Sequence, residues 1–397
     1  MSSTLSPPPQ VPEPIIIAHR GASARAPEHT LSSYREAILA GADFIEPDLV
    51  LTRDGVLVAR HENTLEDTTD VAERGQFANR RTTKRVDGAE RTDWFAEDFT
   101  LAELRTLRAR ERLPDLRPHN DQRFPAERIP TLGEIIGLVR EFERKGRLVG
   151  LYTETKHPTY FAHEGRRIDG TPIHRSISQV LIDTLREAHF IDPSRVFIQS
   201  FEIENLLLLG QRIMPAAGVE LPLVQLLGDL GNAPQAPDFA FAHPWDTVYH
   251  AKAGHHPEEC YGALAACLGM ARGEALTYES LTTGDALSAI ARAYAAALGP
   301  WITAVLPRKL RGRTGDSARL PQLTGEVHPL LANAKAAGLA VHAYTLRPET
   351  VFRVLGEDGD TLSAEQELVK LWVAGVGGVF ADDPGPAVEA RRVFTQA

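Results

Sequence analysis

Short apolar segments typical of buried strands alternate with helical segments along most of this chain. The first strand is predicted at Ile15–Ala18 and the second at Asp43–Leu49, with a helix from Thr30 to Ala40 between them. Strands buried on both faces show continuous apolar runs rather than an apolar–polar alternation. A repeated strand–helix order favours parallel strands covered by helices. The sequence therefore predicts an α/β protein with the (β/α)8 TIM-barrel fold.

The same alternation continues after residue 148. Further strands are predicted at Leu148–Thr153, Arg195–Ser200, Leu221–Leu227, Trp301–Val305, Leu339–Tyr344 and Gly378–Phe380. Helices are predicted at Ile173–Ala188, Glu202–Met214, Leu281–Ala297 and Ser363–Ala374. Together with the first two strands, these segments come close to the eight strand–helix units that a TIM barrel requires.

Two regions interrupt the alternation. Gly55 turns the second strand back into residues 56–59, which predicts a hairpin. Residues 62–128 are rich in Arg, Asp and Thr and contain few apolar runs, so we interpret them as a cap-like insertion over the active face. Residues 228–273 also fit the alternation poorly and are predicted to form a long loop with a helix near residues 258–270.

The length and charge of the chain limit its class. A chain of 397 residues suits one large barrel with an insertion, which we assign to residues 15–390. Residues 1–14 are rich in Ser and Pro and are predicted to be a disordered tail. The net charge of −10 argues against a nucleic-acid partner, which requires a basic surface.

The location of the protein is predicted from what the sequence does not show. No apolar run reaches the length of a membrane span, so we expect no stable membrane association. Residues 1–14 lack the basic and apolar regions of a signal peptide, which predicts a cytoplasmic protein. If a signal peptide precedes this sequence in nature, the prediction becomes periplasmic or secreted.

The two cysteines, Cys260 and Cys267, allow two interpretations. They either form one disulfide or remain as two small buried thiols. No cluster of partner ligands around them indicates zinc.

Polar side chains follow the predicted strands at their carboxyl ends, where TIM barrels place their active sites. His19 and Arg20 close the first strand, and His61 follows the hairpin. Histidine can act as a general acid or base, and arginine can bind two phosphate oxygens at once. Either histidine can equally be a structural loop residue.

Paired carboxylates are the second polar feature. Glu46 and Asp48 lie in a predicted strand on either side of Pro47, which removes a backbone donor and should end the strand or cause a bulge there. The two carboxylates are two residues apart, so their side chains share one face. If that face is the barrel interior, the two anions require a cation, and oxygen ligands favour Ca²⁺ or Mg²⁺. Glu154 can supply a third ligand, and Lys156, at the same spacing, can contact phosphate. A solvated carboxylate pair and a surface salt bridge are the alternatives.

These residues occur in blocks that resemble the signature of the glycerophosphodiester phosphodiesterase family. The N-terminal blocks are His19-Arg20-Gly21-Ala22, Pro27-Glu28-His29-Thr30, Gly41-Ala42-Asp43-Phe44-Ile45-Glu46-Pro47-Asp48 and His61-Glu62. The later blocks are Glu154-Thr155-Lys156, Gln199-Ser200-Phe201, Val341-His342-Ala343-Tyr344-Thr345 and Gly377-Gly378-Val379-Phe380-Ala381-Asp382. The length, the insertion after His61 and the C-terminal block look most like the bacterial periplasmic enzymes.

The resemblance implies metal-dependent hydrolysis of a small glycerophosphodiester to sn-glycerol 3-phosphate and an alcohol. It implies a divalent cation, Ca²⁺ or Mg²⁺, and two-histidine acid–base catalysis. The family's roles fall on the following residues of this chain: the metal ligands Glu46, Asp48 and Glu154, the catalytic histidines His19 and His61, the phosphate contacts Arg20 and Lys156, and the residues near glycerol, Phe201 and Tyr344. An aromatic residue such as Phe201 can equally be core filling.

Two alternatives share the same residues. A phospholipase with this barrel and metal site would act on intact lipid, and the basic pairs Arg80-Arg81 and Lys84-Arg85 would then contact a membrane. A non-catalytic barrel would bind glycerophosphodiesters without turnover, but it would be expected to have lost a histidine or a ligand. Residues 228–273 contain no motif that aligns with the family, so the leaving alcohol is not predicted, and neither is the oligomeric state.

Overall fold

The computed structural model describes residues 13–231, 241–309 and 320–396. Its strands are β1 Ile15–His19, β2 Phe44–Glu46, β3 Asp48–Leu51, β4 Leu57–Ala59, β5 Thr82–Val86, β6 Ala89–Asp93, β7 Gly150–Thr155, β8 Val196–Ser200, β9 Leu223–Leu226, β10 Ala295–Gly299, β11 Arg308–Lys309, β12 Gln322–Leu323, β13 Ala340–Leu346 and β14 Gly378–Ala381. Most of the tail predicted at residues 1–14 and residues 232–240 of the predicted loop lie outside the described residues.

The helices between the strands are mostly short. They are α1 Leu31–Leu39, α2 Leu101–Leu104, α3 Asn120–Arg123, α4 Leu132–Glu143, α5 Ile177–Glu187, α6 Ile203–Leu208, α7 Met214–Ala217, α8 Trp245–Ala253, α9 Pro257–Tyr261, α10 Ala263–Cys267, α11 Gly284–Ala293, α12 Ile302–Val305, α13 Leu330–Ala336, α14 Ala364–Ala374 and α15 Pro384–Gln396. Across the three described ranges, no helix is both long and apolar enough to cross a membrane.

Eight parallel strand positions close into a barrel, which confirms the predicted fold. The order is β1, β2 with β3, β7, β8, β9, β10, β13 and β14, and β14 pairs with β1. β2 and β3 form one strand interrupted at Pro47, because both pair with β7 in a single register. Proline has no N–H to donate to the ladder, so the break falls where the sequence predicted it. The predicted hairpin is also present as the antiparallel β3–β4 pair.

The barrel interior is filled by side chains from the inward face of its strands. One cluster combines residues of six strands: Ile17, Phe44, Tyr152, Val224, Ala297 and Phe380. The Tyr152 hydroxyl and Nδ1 of His342 form a hydrogen bond of 2.7 Å inside this layer. Burial lowers the pKa of His342 to about 4, so its ring is neutral. The barrel is therefore packed below the site rather than open.

Helix starts follow from local capping. Thr131 accepts from the backbone N–H of Glu134, whose carboxylate in turn accepts from Thr131, and this capping box begins α4. Ser363 and Gln366 form the equivalent box at α14. Each box satisfies backbone donors that the first turn of a helix leaves unpaired.

Two sequence predictions near residue 300 were wrong. The predicted helix Leu281–Ala297 ends at Ala293, and Ala295–Gly299 is the strand β10, which pairs with β9 and β13. The predicted strand Trp301–Val305 is the helical turn α12. An alanine-rich run has high helix propensity, but pairing on both sides within the barrel outweighs it.

Residues 228–273 contain more structure than the predicted loop. α8 was not predicted, and the helix expected near residues 258–270 is divided into α9 and α10 at Gly262, which has a φ of 56°. A positive φ is readily adopted by glycine and interrupts a helix. Neither cysteine is in a disulfide: Cys260 is half-buried and Cys267 is exposed.

Candidate active site

A cavity of about 350 Å³ lies at the carboxyl ends of the barrel strands. All nine residues that the sequence singled out line it: His19, Arg20, Glu46, Asp48, His61, Glu154, Lys156, Phe201 and Tyr344. They come from β1, β2, β3, β7 and β13 or from the loops after β1, β4, β7 and β8. The structure therefore brings together residues that are up to 325 positions apart in the sequence, from position 19 to position 344.

Three buried carboxylates form the centre of the site. Oxygen atoms of Glu46, Asp48 and Glu154 all lie within 4.8 Å of one another. Asp48 and Glu154 face each other across the β3–β7 ladder, and Glu46 lies on the other side of Pro47. The three residues are between 1% and 5% exposed, so water does little to screen their mutual repulsion.

Neighbouring groups hold these carboxylates in place. Glu46 accepts from the backbone N–H of Arg20 at 2.8 Å and from the Gln199 amide at 2.9 Å. Glu154 accepts from Nζ of Lys156 at 2.8 Å. One oxygen of Asp48, Oδ1, is buried and has no hydrogen-bond partner among the described residues.

The carboxylates do not all ionise alike. Burial, and then the charges of Asp48 and Glu154, raise the pKa of Glu46 well above its ordinary value. Burial also raises the pKa of Glu154 to about 8, although Lys156 opposes the shift. Burial acts on Asp48 as well, but Lys156 and then His29 hold the pKa of that carboxyl well below its ordinary value. The cluster therefore retains protons at neutral pH unless a cation replaces them.

His29 positions Asp48 and was not among the predicted site residues. Because Asp48 is ionised and can only accept, His29 donates to it through Nε2–H at 2.9 Å. The Tyr34 hydroxyl then donates to Nδ1 of His29 at 2.8 Å. His29 lies within one of the sequence motifs, but no local pattern shows that it supports Asp48.

Both predicted catalytic histidines have a carboxylate on Nδ1. His19 Nδ1 lies 2.6 Å from Oδ1 of Asp382, and His61 Nδ1 contacts Glu62. Burial raises the pKa of a carboxyl group, but contacts with these histidines and with nearby arginines outweigh it. The pKa values of Asp382 and Glu62 are therefore well below their ordinary values. Ionised carboxylates only accept, so each imidazole carries its proton on Nδ1 and leaves Nε2 for other contacts.

The two histidines are neutral in this structure. Burial, then the charge of Arg20, lowers the pKa of His19 to about 4. Burial, then the charge of Arg20, lowers the pKa of His61 to about 3, although 31% of its side-chain surface is exposed to water. His61 is therefore more accessible to solvent than His19, whose side chain is 10% exposed.

Asp382 is held by two arginines that the sequence did not indicate. Arg117, from residues 62–128, donates to its Oδ2 at 2.5 Å, and Nε of Arg347 lies 3.5 Å from the same oxygen. Arg117 also contacts Glu349 at 2.7 Å. Two arginines from distant parts of the chain therefore hold Asp382, the carboxylate that orients His19.

Arg20 occupies an unusual backbone conformation. Its φ is 59°, which disfavours side-chain-bearing residues, and Gly21 follows with a φ of 89°. A Cβ on Gly21 would approach Oγ of Ser33 to 2.4 Å, so this position cannot accept a side chain without displacement. The turn directs the Arg20 N–H to Glu46, while its guanidinium contacts Glu28 at 3.1 Å.

Aromatic rings cover the side of the cavity next to Lys156. Nζ of Lys156 lies 5.7 Å from the centre of the Phe201 ring, which meets the Tyr344 ring edge-on at 6.2 Å. The Tyr344 hydroxyl donates to the Leu227 carbonyl at 2.7 Å, so this side chain presents its ring to the cavity. Phe241 packs on Phe201 at 5.3 Å and extends the wall.

Two segments without predicted site residues also line the cavity. Val86, Asp87, Ala89 and Arg91 come from the β5–β6 hairpin within residues 62–128, and Phe241, His243 and Trp245 come from residues 228–273. Three of the four residues in the basic pairs of the first segment contact carboxylates. Arg80 contacts Glu103, Arg81 contacts Glu66, and Lys84 contacts both Glu97 and Asp98.

Comparisons with known proteins agree with this geometry. A glycerophosphodiester phosphodiesterase of Arabidopsis thaliana is 29% identical over 385 residues, covering 95% of this chain and 85% of that protein. One of Haemophilus influenzae is 31% identical over 222 residues, or 54% of this chain and 56% of that protein. The crystal structure of a protein from Silicibacter pomeroyi DSS-3, named as a glycerophosphoryl diester phosphodiesterase, superposes on this structure with a TM-score of 0.56 at 21% identity. It covers 98% of this chain and 95% of that one, and it supports the fold alone.

The family assignment rests on the motif region as a whole. The model of the glycerophosphoryl diester phosphodiesterase family matches residues 19–255, which include eight of the nine predicted site residues and all three carboxylates. The chain therefore belongs to the glycerophosphoryl diester phosphodiesterase family, and the predicted enzyme class is confirmed.

Proposed function

We propose that this enzyme hydrolyses glycerophosphodiesters to sn-glycerol 3-phosphate and an alcohol with the help of a divalent cation. The observation that carries the proposal is the meeting of three buried carboxylates and two carboxylate-oriented histidines in one cavity. Such a site can bind a hard cation and transfer protons on both sides of a phosphorus atom.

Glu46, Asp48 and Glu154 would hold the cation, and Ca²⁺ and Mg²⁺ both fit an all-oxygen donor set. The unpartnered Oδ1 of Asp48 supports this assignment, since a buried carboxylate oxygen without a donor is costly unless a cation contacts it. When bound, the cation neutralises charge that develops on the phosphoryl oxygens.

His19 and His61 would share acid–base catalysis. Each is oriented through Nδ1 and has Nε2 available, which suits removal of a proton from the nucleophile or its delivery to the leaving oxygen. We assign the base to His19, which is buried and neutral, and the acid to His61, which is partly exposed. The nucleophile is either water or the neighbouring glycerol hydroxyl.

The remaining predicted residues would recognise the glycerophosphate half. Arg20 and Lys156 flank the carboxylates and would contact phosphate oxygens. The rings of Phe201 and Tyr344 would pack against the glycerol carbons. We further propose that residues 62–128 act as a cap whose β5–β6 hairpin faces the leaving alcohol together with Phe241 and Trp245.

The test is release of sn-glycerol 3-phosphate from glycerophosphocholine, detected with a stereospecific dehydrogenase. We expect release with Ca²⁺ or Mg²⁺, loss with EDTA and recovery when the cation is restored. Glu154→Gln should lose activity, whereas Glu187→Gln, a change of the same kind on the exposed surface of α5, should not. Full activity after exhaustive EDTA treatment would contradict metal dependence.

The same assay separates the two histidines. With p-nitrophenol as the leaving group, protonation of the departing oxygen matters less. His61→Ala should therefore lose less activity on a p-nitrophenyl ester of glycerol phosphate than on glycerophosphocholine, while His19→Ala should lose a similar factor on both. The opposite pattern would exchange the roles.

A further inference from the structure

A second group of potential metal ligands lies outside the active site, on α8, on α9 and in the turn between them. Nitrogen atoms of His250 and His255 and the sulfur of Cys260 lie within 4.8 Å of one another. His250 is buried, Cys260 is half-buried and His255 is exposed. The donors are two imidazoles and a thiol, in contrast to the three carboxylates of the catalytic cavity.

The local fold brings the rings of the two histidines together. α8 ends at Ala253, and Gly254 adopts a left-handed φ of 72°, which reverses the chain. The backbone N–H of His255 then donates to the His250 carbonyl at 3.1 Å. As a result, Nδ1 of His255 lies 2.8 Å from Nδ1 of His250.

A neighbouring carboxylate fixes which nitrogen of His250 carries the proton. Nε2 of His250 lies 2.9 Å from a carboxylate oxygen of Glu204, on α6, and a carboxylate accepts. In the neutral ring Nε2 therefore carries the hydrogen, and Nδ1 has its lone pair on the side of His255. Metal-binding histidines in proteins commonly donate their other ring nitrogen to a carboxylate in this way.

We propose that His250, His255 and Cys260 form a binding site for a transition-metal ion of the Zn²⁺ type, with Glu204 orienting His250. Imidazole and thiolate ligands favour Zn²⁺ over Ca²⁺ and Mg²⁺. Two nitrogens bound to one zinc at roughly 2.05 Å would stand about 3.3 Å apart, so the 2.8 Å separation needs to open by only about 0.5 Å. A water molecule can complete the coordination.

The third donor is the thiol of Cys260, which is half-buried on α9. A bound divalent cation supplies the positive charge that allows the thiolate to form, and the proton is released to solvent. The ion would join α8 and α9 to α6, and α8 begins at Trp245, which lines the catalytic cavity.

The chain contains matched controls for two of the three ligands, His255 and Cys260. His256 is exposed and directly follows His255, and Cys267 is the second free cysteine. With the full chain in excess Mg²⁺ to saturate the carboxylate site, we expect one Co²⁺ per chain with a thiolate-to-cobalt charge-transfer band. His255→Ala and Cys260→Ser should lose the band and weaken Zn²⁺ binding at least about 10-fold, the usual scale for removing part of a metal site. His256→Ala and Cys267→Ser should bind as the parent does.

Thermal unfolding gives a second readout. A ligand that binds only the folded state raises the melting temperature as its concentration increases, so Zn²⁺ should stabilise the parent and both controls but not Cys260→Ser. Hydrolysis in Mg²⁺ shows that the variants are folded. A cobalt spectrum without the thiolate band, or equal Zn²⁺ affinity in Cys260→Ser and Cys267→Ser, would overturn the proposal.

Discussion

The pairing of His19 with Asp382 leads to a prediction about the change Asp382→Asn. Arg117 and Arg347 both direct donors at Oδ2 of Asp382, and His19 meets Oδ1. In the variant, the asparagine oxygen should turn to the two arginines, which only donate, and its NH₂ group should turn to His19. Nδ1 of His19 must then accept, so its proton moves to Nε2 and the nitrogen facing the cavity loses its lone pair.

The size of the effect follows from the contact that is lost. A hydrogen bond to a charged group is worth about 1.5–3 kcal/mol, and His19 Nδ1 lies 2.6 Å from an ionised carboxylate. At about 1.36 kcal/mol for each factor of ten, kcat should fall roughly 10- to 160-fold. KM should change little, because Asp382 is not among the residues that line the cavity.

The pH profile distinguishes this role from a structural one. Burial lowers the pKa of His19, and Asp382 opposes that shift. Without the carboxylate the pKa of His19 should fall further, so the acidic limb of kcat/KM should move to lower pH. Asp383→Asn is the control, because Asp383 contacts Arg25 at 2.9 Å instead of His19. A kcat within about threefold of the parent, with an unmoved acidic limb in a folded variant, would refute the reasoning.

Three further predictions address the rest of the site. His19→Ala and His61→Ala should each lower kcat by about 10²–10⁴ while calorimetric metal affinity stays nearly the same, and a variant with parental turnover would exclude that histidine. Burial raises the pKa of Glu154 to about 8, and a cation binds the ionised carboxylate, so affinity for Ca²⁺ or Mg²⁺ should rise between about pH 6 and pH 8. Calorimetry in two buffers measures both the affinity and the protons released on binding. An affinity that does not change with pH would contradict this prediction. Trp245→Ala should alter the ratio of kcat/KM for glycerophosphocholine and glycerophosphoglycerol, and an unchanged ratio would place the alcohol elsewhere.

The sequence predicted the barrel, and the nine residues that it singled out line one cavity, because strands and their ends follow local patterns. Apolar runs mark the buried strands, and the polar residues that follow them meet wherever parallel strands end. Glu46 and Asp48 could be placed on one face because strand side chains alternate. Pro47 was expected to interrupt their strand for the same local reason, the absence of an N–H.

The features that the sequence missed depend on distant contacts. Arg117 reaches Asp382 across 265 residues, and His29 supports Asp48 through a turn that no periodicity reveals. The β10 segment is rich in alanine, and only its neighbours β9 and β13 make it a strand. The spacing of His250, His255 and Cys260 resembles no familiar zinc motif, and their proximity depends on the reversal at Gly254.

The pairing of β1 with β14 has a consequence for the synthesis and folding of the enzyme. His19 is synthesised 363 residues before its partner Asp382. Domains of this size gain their structure during and after synthesis, N-terminal parts first. Until the last strand joins the first, the imidazole lacks the carboxylate that sets its tautomer. A nascent or partly folded chain should therefore carry most of the catalytic groups and yet have little hydrolytic activity, so that activity reports completion of the barrel.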